Sequence, residues 1–317
     1  MSTKKHIEVV PYNDQWPQMF ESEAATFRQA LGDNSVAVHH VGSTAVPGLA
    51  AKPTIDIIAV IKDRDLAIKG FESLGYEYRG EFNIPMRLFF NKKVGTDVNL
   101  HVYEEGHPEI ELNLKFRDYL CAHPEARDAY AALKAELLTK PSSYMKTNPP
   151  FTGYSLGKYA FINNIVKQTG FNRLRMMTCT HYAEWDTAKA YRQKYFFDNA
   201  GISDPYTYTF DDVNHKHFVL YQGTQIIGYA HVQLWPEQRS AMRIIVIDEP
   251  FRNKGFGSQF LALCERWLQI QEYKSLHIES SPEALNFYKQ HGYGSMPFND
   301  PEHHESHALD TPVGKIL

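Results

Sequence analysis

Residues 251–260 read FRNKGFGSQF and stand between MRIIVID at 242–248 and LALCERWLQI at 261–270. The apolar run before the stretch has the composition of a buried strand, and the segment after it has the look of a helix. Gly255 and Gly257 therefore fall where a strand hands over to a helix. Glycine there lets the backbone turn tightly and brings its amides close to a ligand, while a helix start supplies unpaired N–H groups and a positive dipole end. With Arg252 and Lys254 alongside, the combination suits a phosphate. Two glycines alone favour a turn whose glycines only permit unusual dihedrals, so the rest of the chain has to decide. A dinucleotide-binding G-x-G-x-x-G is not formed, because Phe260 stands three residues after Gly257, and no P-loop GK[ST] is present.

At 317 residues the chain exceeds what one core usually organises, which predicts two domains. A hydrophobic content of 43% supports globular folding, and a formal net charge of -4 without any basic tail argues against a general nucleic-acid binder. Cys121, Cys179 and Cys264 are widely separated and lack CxxC spacing, so neither a disulfide framework nor a thiolate metal site is expected. The N-terminal MSTKKHIEVVPYNDQW carries two lysines but no apolar h-region, and no segment is long and apolar enough to span a bilayer. The expectation is a soluble cytoplasmic protein.

Trp16 to Leu31 reads as a helix, AVHHVGS as a strand and turn, PTIDIIAVI as a nearly continuous apolar strand, and DLAIKGFESLGY as a helix ending at Gly75. MRLFFN and DVNLHVY read as strands, LNLKFRDYLCAHPEARDAYAALKAELL as helix, and GYSLGKYAFINNIVKQTG as a last helix capped by Gly170. Beyond it the pattern starts afresh. RLRMMTCT reads as a strand, AEWDTAKAYRQKYFFDNAG as helix, and KHFVLYQGTQIIGYAHVQLW as a hairpin turning at Gln222, Gly223 and Thr224. SLHIES is a short strand and PEALNFYKQHG a helix. These patterns predict a mixed α/β chain with domains at 1–171 and 172–317. The histidine-rich NDPEHHESH at 299–307 is expected outside either core, its His303, His304 and His307 being surface residues or the lining of an acceptor pocket.

With this order in view, residues 173–317 resemble the GNAT acyltransferase superfamily. RNKGFG fits its R/Q-x-x-G-x-G/A signature, and NFYKQHGY resembles its later F-Y-x-x-x-G-F segment. The resemblance implies a splayed mixed sheet and acetyl-CoA as co-substrate. Its pyrophosphate would sit on the turn formed by Arg252, Lys254, Gly255, Phe256, Gly257 and Ser258, and its pantetheine arm along Val246 and Ile247. Tyr288 occupies the family's general-acid position. Glu279, at the end of SLHIES, is the candidate proton acceptor or else a solvated strand-end carboxylate, and Ser281 stands where many relatives carry Asn.

HHVGSTAVPGLAAKPTIDIIAVI, with LHVY and LKFRDYLCAHPEARDAYAALK after it, resembles the GrpB family, which looks like a branch of the nucleotidyltransferase fold. The resemblance makes Gly42 and Ser43 a phosphate-contacting turn and Asp56 the first metal-binding carboxylate. A working site wants two carboxylates on alternate strand residues, but the partner position is Ile58. The expectation is therefore a pocket for a phosphorylated ligand or nucleotide around His40, Ser43, Lys52, Asp56 and His101, or else a domain that only supports its neighbour. For the whole chain the expectation is an acetyl-CoA-dependent N-acetyltransferase acting on an amine of a small molecule or protein. The alternative is a divergent nucleotidyltransferase or nucleotide-binding protein whose GNAT domain senses CoA.

Overall fold

Strict alternation in IDIIAVI explains the first sheet: Ile55, Ile57, Ala59 and Ile61 point to one face and are buried, whereas Asp56 and Ile58 point to the other. The computed structural model describes residues 7–145, 151–304 and 307–317, so the two N-terminal lysines and residues 305–306 of the histidine-rich stretch lie outside the described residues. The chain divides into two units, Met1–Arg175 and Met176–Leu317. Among the described residues, no helix is long and apolar enough to cross a membrane.

The first unit opens with α1 (Trp16–Leu31), then β1 (Ser35–Val41), β2 (Ile55–Ile61), α2 (Arg64–Ser73), β3 (Glu77–Tyr78), β4 (Leu88–Lys92) and β5 (Val98–Glu104). The five strands lie in the order β1-β2-β5-β4-β3, with β2 and β5 parallel. Phe20, Phe27 and Phe71 from α1 and α2 cover the face that carries Ile55, Ile57, Leu100 and Val102. Burial of each such aliphatic side chain stabilises the fold by about 1.5–3 kcal/mol.

Two helical readings need correction. The long helix predicted after β5 is two, α3 (Pro108–Ala122) and α4 (Pro124–Thr139). Pro124 excludes helical geometry at the preceding His123, whose φ of -125° and ψ of 87° form the break. The last predicted helix is likewise split into α5 (Gly153–Leu156) and α6 (Tyr159–Gln168). At the break, a Cβ on Gly157 would stand 2.6 Å from Leu137 Cδ2, so glycine there lets the chain approach α4 closely.

The second unit begins within β6 (Leu174–Thr178) and continues with α7 (Tyr182–Arg192), the hairpin of β7 (His215–Gln222) and β8 (Gln225–Trp235), and β9 (Arg239–Ile247). After them come α8 (Phe256–Ile270), β10 (Ser275–Ser280), α9 (Leu285–Gln290), β11 (Gly294–Ser295) and β12 (Thr311–Ile316). Their sheet order is β11-β12-β10-β9-β8-β7-β6. Strands β9 and β10 run parallel, yet they pair only over Arg239–Ala241 against Ser275–His277. Beyond those residues β9 continues to Ile247 and β10 to Ser280 without pairing to each other, which opens the sheet as a wedge. Strand β12 was not anticipated, because Pro312 and Gly314 argue against a strand. Gly314 leaves room there for Met296, whose Sδ would lie 2.4 Å from a Cβ.

Candidate functional site

The wedge between β9 and β10 leads to the glycine turn. Gly255 has φ +79° and caps α8, a conformation that costs glycine little. The first α8 bond to reach back to it runs from Gln259 N to Gly255 O at 3.2 Å, so the amides of Phe256, Gly257 and Ser258 lie ahead of the helical ladder. A cleft of about 900 Å³ is lined by Val246, Ile247, Arg252, Gly255, Gly257, Ser258 and Tyr288. Arg252 donates from Nε to Ile247 O at 2.9 Å, and its guanidinium lies over the Tyr195 ring at 4.8 Å. Ser281 lines the cleft as well. The side chains of Lys254 and Phe256 do not line the cleft, and Lys254 is exposed with its Nζ donating to Pro250 O at 2.9 Å, so Phe256 offers this turn its backbone amide alone. Tyr288 is 6% exposed, and burial pushes its phenol up to about 12, so it holds its proton at neutral pH.

A second cavity, of about 450 Å³, is lined by Met242 and Ile244 of β9, Glu279 of β10, His215, His231 and aromatic residues including Phe196 and Tyr208. Phe196 lines the cleft too, so the two spaces meet at one residue. Along the lining runs a chain of hydrogen bonds whose polarity is fixed. Arg192 Nη1 can only donate, and it reaches His231 Nδ1 at 3.1 Å. Burial holds His231 neutral, so its proton sits on Nε2 and is donated to His215 Nδ1 at 2.7 Å. His215 Nε2 then donates to Glu302 Oε1 at 3.3 Å. Both ring nitrogens of His231 and His215 are thereby engaged.

The described residues of the histidine-rich stretch are largely exposed, and two of its histidines line the second cavity. Asp300 is ion-paired with Arg243 at 2.6 Å, with its side chain 6% exposed, and His304 and His307 line the cavity. The sequence reading missed Arg192, His215 and His231. The alternation of His215 and His217 on one strand, facing His231 on the next, was the available signal.

In the first unit Asp56 stands at the edge of a cluster that the sequence only partly revealed. Asn99 Nδ2 donates to Asp56 Oδ1 at 2.9 Å, and Gly42, with φ +71°, packs so close that a Cβ would come within 2.4 Å of Asp56 Oδ2. Burial raises the Asp56 pKa, opposed by the Asn99 hydrogen bond and by Lys158 and Lys52. Ser43 accepts from Lys134 Nζ at 3.2 Å, and Lys134 also donates to Ala50 O. Lys52 and Lys158 approach the Tyr154 ring at 4.7 and 5.0 Å. Ile58, 1% exposed, fills the position where a second metal-binding acid is expected. His101 shares the Asp56 face but bonds to Arg87 Nη1 at 3.1 Å, and burial lowers its pKa to about 3.

His40 is not in this cluster. It pairs with Ile57 across the strands and stacks on Phe20 at 4.9 Å, which puts it on the opposite face of the sheet from Asp56. Lys134 and Lys158 were missed by the sequence reading, since each looks like an ordinary helical lysine. Among the described residues, no cluster of three or more histidine, cysteine or acidic side chains is arranged to hold a metal ion.

Comparison with known proteins fits this division. The family model "GrpB protein" matches residues 6–168, and the "Acetyltransferase (GNAT) family" model matches residues 176–293. UPF0157 protein YqkA of Bacillus subtilis is 37% identical over 138 residues, which cover 42% of this chain and 40% of that protein. The UPF0157 protein of Halalkalibacterium halodurans is 41% identical over 138 residues, covering 41% of this chain and 69% of that protein. The chain thus spans less than half the length of the first relative and about two thirds of the second. The crystal structure of GrpB from Enterococcus faecalis is 35% identical, covering 51% of this chain and 96% of that one, with a TM-score of 0.44. The GrpB match extends over half of the chain, and the protein belongs to the GrpB family, with a GNAT-family acetyltransferase domain following its GrpB domain.

Proposed function

We propose that the protein is a cytoplasmic acetyl-CoA-dependent N-acetyltransferase, its acetyltransferase domain at 172–317 and its GrpB-like accessory domain at 1–171. The observation that carries this reading is the wedge between β9 and β10 ending at a glycine turn with free helix-start amides. The pyrophosphate of acetyl-CoA lies on the amides of residues 255–258, beside Arg252, and the pantetheine arm runs along Val246 and Ile247. The acceptor amine enters from the histidine- and aromatic-lined cavity, where Glu279 takes its proton. N–H groups that β9 leaves unpaired where it parts from β10 are donors for the developing oxyanion. Tyr288 protonates the departing CoA thiolate.

The cofactor site is testable without knowing the acceptor. A Cβ at Gly257 meets nothing nearer than Phe287 at 3.7 Å, so a side chain there spares the fold while standing over the amides. Gly257→Val is expected to weaken acetyl-CoA binding about tenfold or more by calorimetry. Unaltered affinity in the folded variant removes the turn from the cofactor site.

The GrpB-like domain serves as the binding domain for a phosphorylated ligand or nucleotide, supported by Ser43 and Lys52 beside Asp56. The alternative, a nucleotidyltransferase with a CoA-sensing GNAT domain, is disfavoured by buried, apolar Ile58.

A further inference from the structure

Three lysines converge on the Asp56 face from separate parts of the first unit: Lys52 from the loop before β2, Lys134 from α4, and Lys158 from between α5 and α6. Lys134 is 2% exposed and is held by Ser43 Oγ at 3.2 Å and by Ala50 O. Lys52 and Lys158 share the ring of Tyr154, at 4.7 and 5.0 Å from its centroid. Tyr130 backs Lys134 at 4.8 Å. Three ammonium groups gather around Asp56, with Asp97 a further carboxylate acting on it, in a setting where water screens charge poorly.

The charge balance is reflected in the lysines themselves. Burial and the neighbouring Lys158 pull Lys134 down to about 7. Burial and Lys52, against the opposing pull of Asp56, bring Lys158 down to about 8. A cluster that repels its own protons in this way is completed by an anion, which restores the charged form of each amine.

We infer that this lysine cluster binds the dianionic phosphate of a phosphate monoester or nucleotide directly, its ammonium groups doing the work that divalent metal does in a site with two carboxylates. The sign of the charge matches, because a phosphate dianion opposes the gathered ammonium groups. The donor chemistry matches too: lysine binds phosphate as a point charge, and the Ser43 hydroxyl beside Lys134 adds a neutral donor. Buried Ile58 removes one arm of a magnesium site, and Asn99 occupies Asp56 Oδ1 from the adjacent strand. This inference rests on the phosphorylated-ligand reading of the GrpB-like domain and is independent of acetyl transfer.

Calorimetric titration of the full chain with inorganic phosphate, AMP and ATP, each with EDTA and with Mg²⁺, tests it. The expected result is binding of at least one of these probes in EDTA, weakened about tenfold or more in Lys158→Met and in Lys52→Gln. Lys134 is left intact because its buried bond to Ala50 O ties it to the fold. Equal affinity for inorganic phosphate and AMP identifies free phosphate as sufficient, whereas tighter AMP binding identifies a nucleotide. Binding that requires Mg²⁺ overturns the lysine assignment while leaving the phosphorylated-ligand reading standing. Undiminished binding in both folded lysine variants also overturns the assignment. Binding of none of the three probes under either condition overturns both.

Discussion

Turnover by a Tyr288→Phe variant is expected to fall about 10²- to 10⁴-fold, with acetyl-CoA affinity nearly unchanged. The phenol lines the cleft, and its raised pKa keeps it in the acid form that a departing thiolate needs. Phenylalanine retains the ring and its edge contacts with Phe287 at 5.2 Å and Tyr293 at 5.6 Å, so only the hydroxyl is removed. A residue that merely packs gives the opposite pattern, with normal kcat and any defect confined to stability. Measuring kcat, acetyl-CoA affinity and thermal unfolding on both proteins separates the two, and near-normal turnover by a stable variant removes Tyr288 from the mechanism.

Replacing Asp204 by alanine is expected to destabilise the second unit by about 3–5 kcal/mol. Arg192, whose side chain is 1% exposed, meets Asp204 bidentately, Nε to Oδ2 at 2.6 Å and Nη2 to Oδ1 at 3.0 Å. Without the carboxylate the guanidinium stays buried and uncompensated. The same guanidinium fixes the polarity of the His231 to His215 chain, so the loss reaches the cavity wall as well. Urea unfolding monitored for the second unit reads the effect. An Arg192→Met, Asp204→Leu double variant, which removes both charges, is expected to recover much of the loss. A single variant within about 0.5 kcal/mol of the parent contradicts the assigned role of the pair.

What the sequence disclosed follows from the range of the interactions involved. The strand, glycine turn and helix at 242–270 are set by neighbours within a few residues, as is the two-residue hairpin turn at Gly223 and Thr224, and both stand in the structure. The shared face of Asp56 and Ile58 was also legible, because period-two alternation along one strand sets it before any pairing is known. Lys134 and Lys158 were not. Lys134 lies 91 residues from the Ser43 hydroxyl it touches, and on its own helix it is indistinguishable from a solvated lysine. His40 misled for a related reason. Adjacency to Gly42 and Ser43 in the chain suggested a shared pocket, whereas one step along a strand reverses the face. The histidine-rich stretch was judged by its polarity, yet Asp300 and Glu302 are held by Arg243, His215 and Gln233 from strands far earlier in the chain.

The central claim is that the wedge between β9 and β10 carries out acetyl transfer. Incubating the full chain with acetyl-CoA and a library of primary amines, with free CoA and the acetylated amine both quantified, tests it most directly. The account predicts amine-dependent CoA release that is matched by acetylated product and suppressed in Gly257→Val. Tight acetyl-CoA binding with no acetylated product from any amine contradicts it and supports a CoA-sensing domain instead.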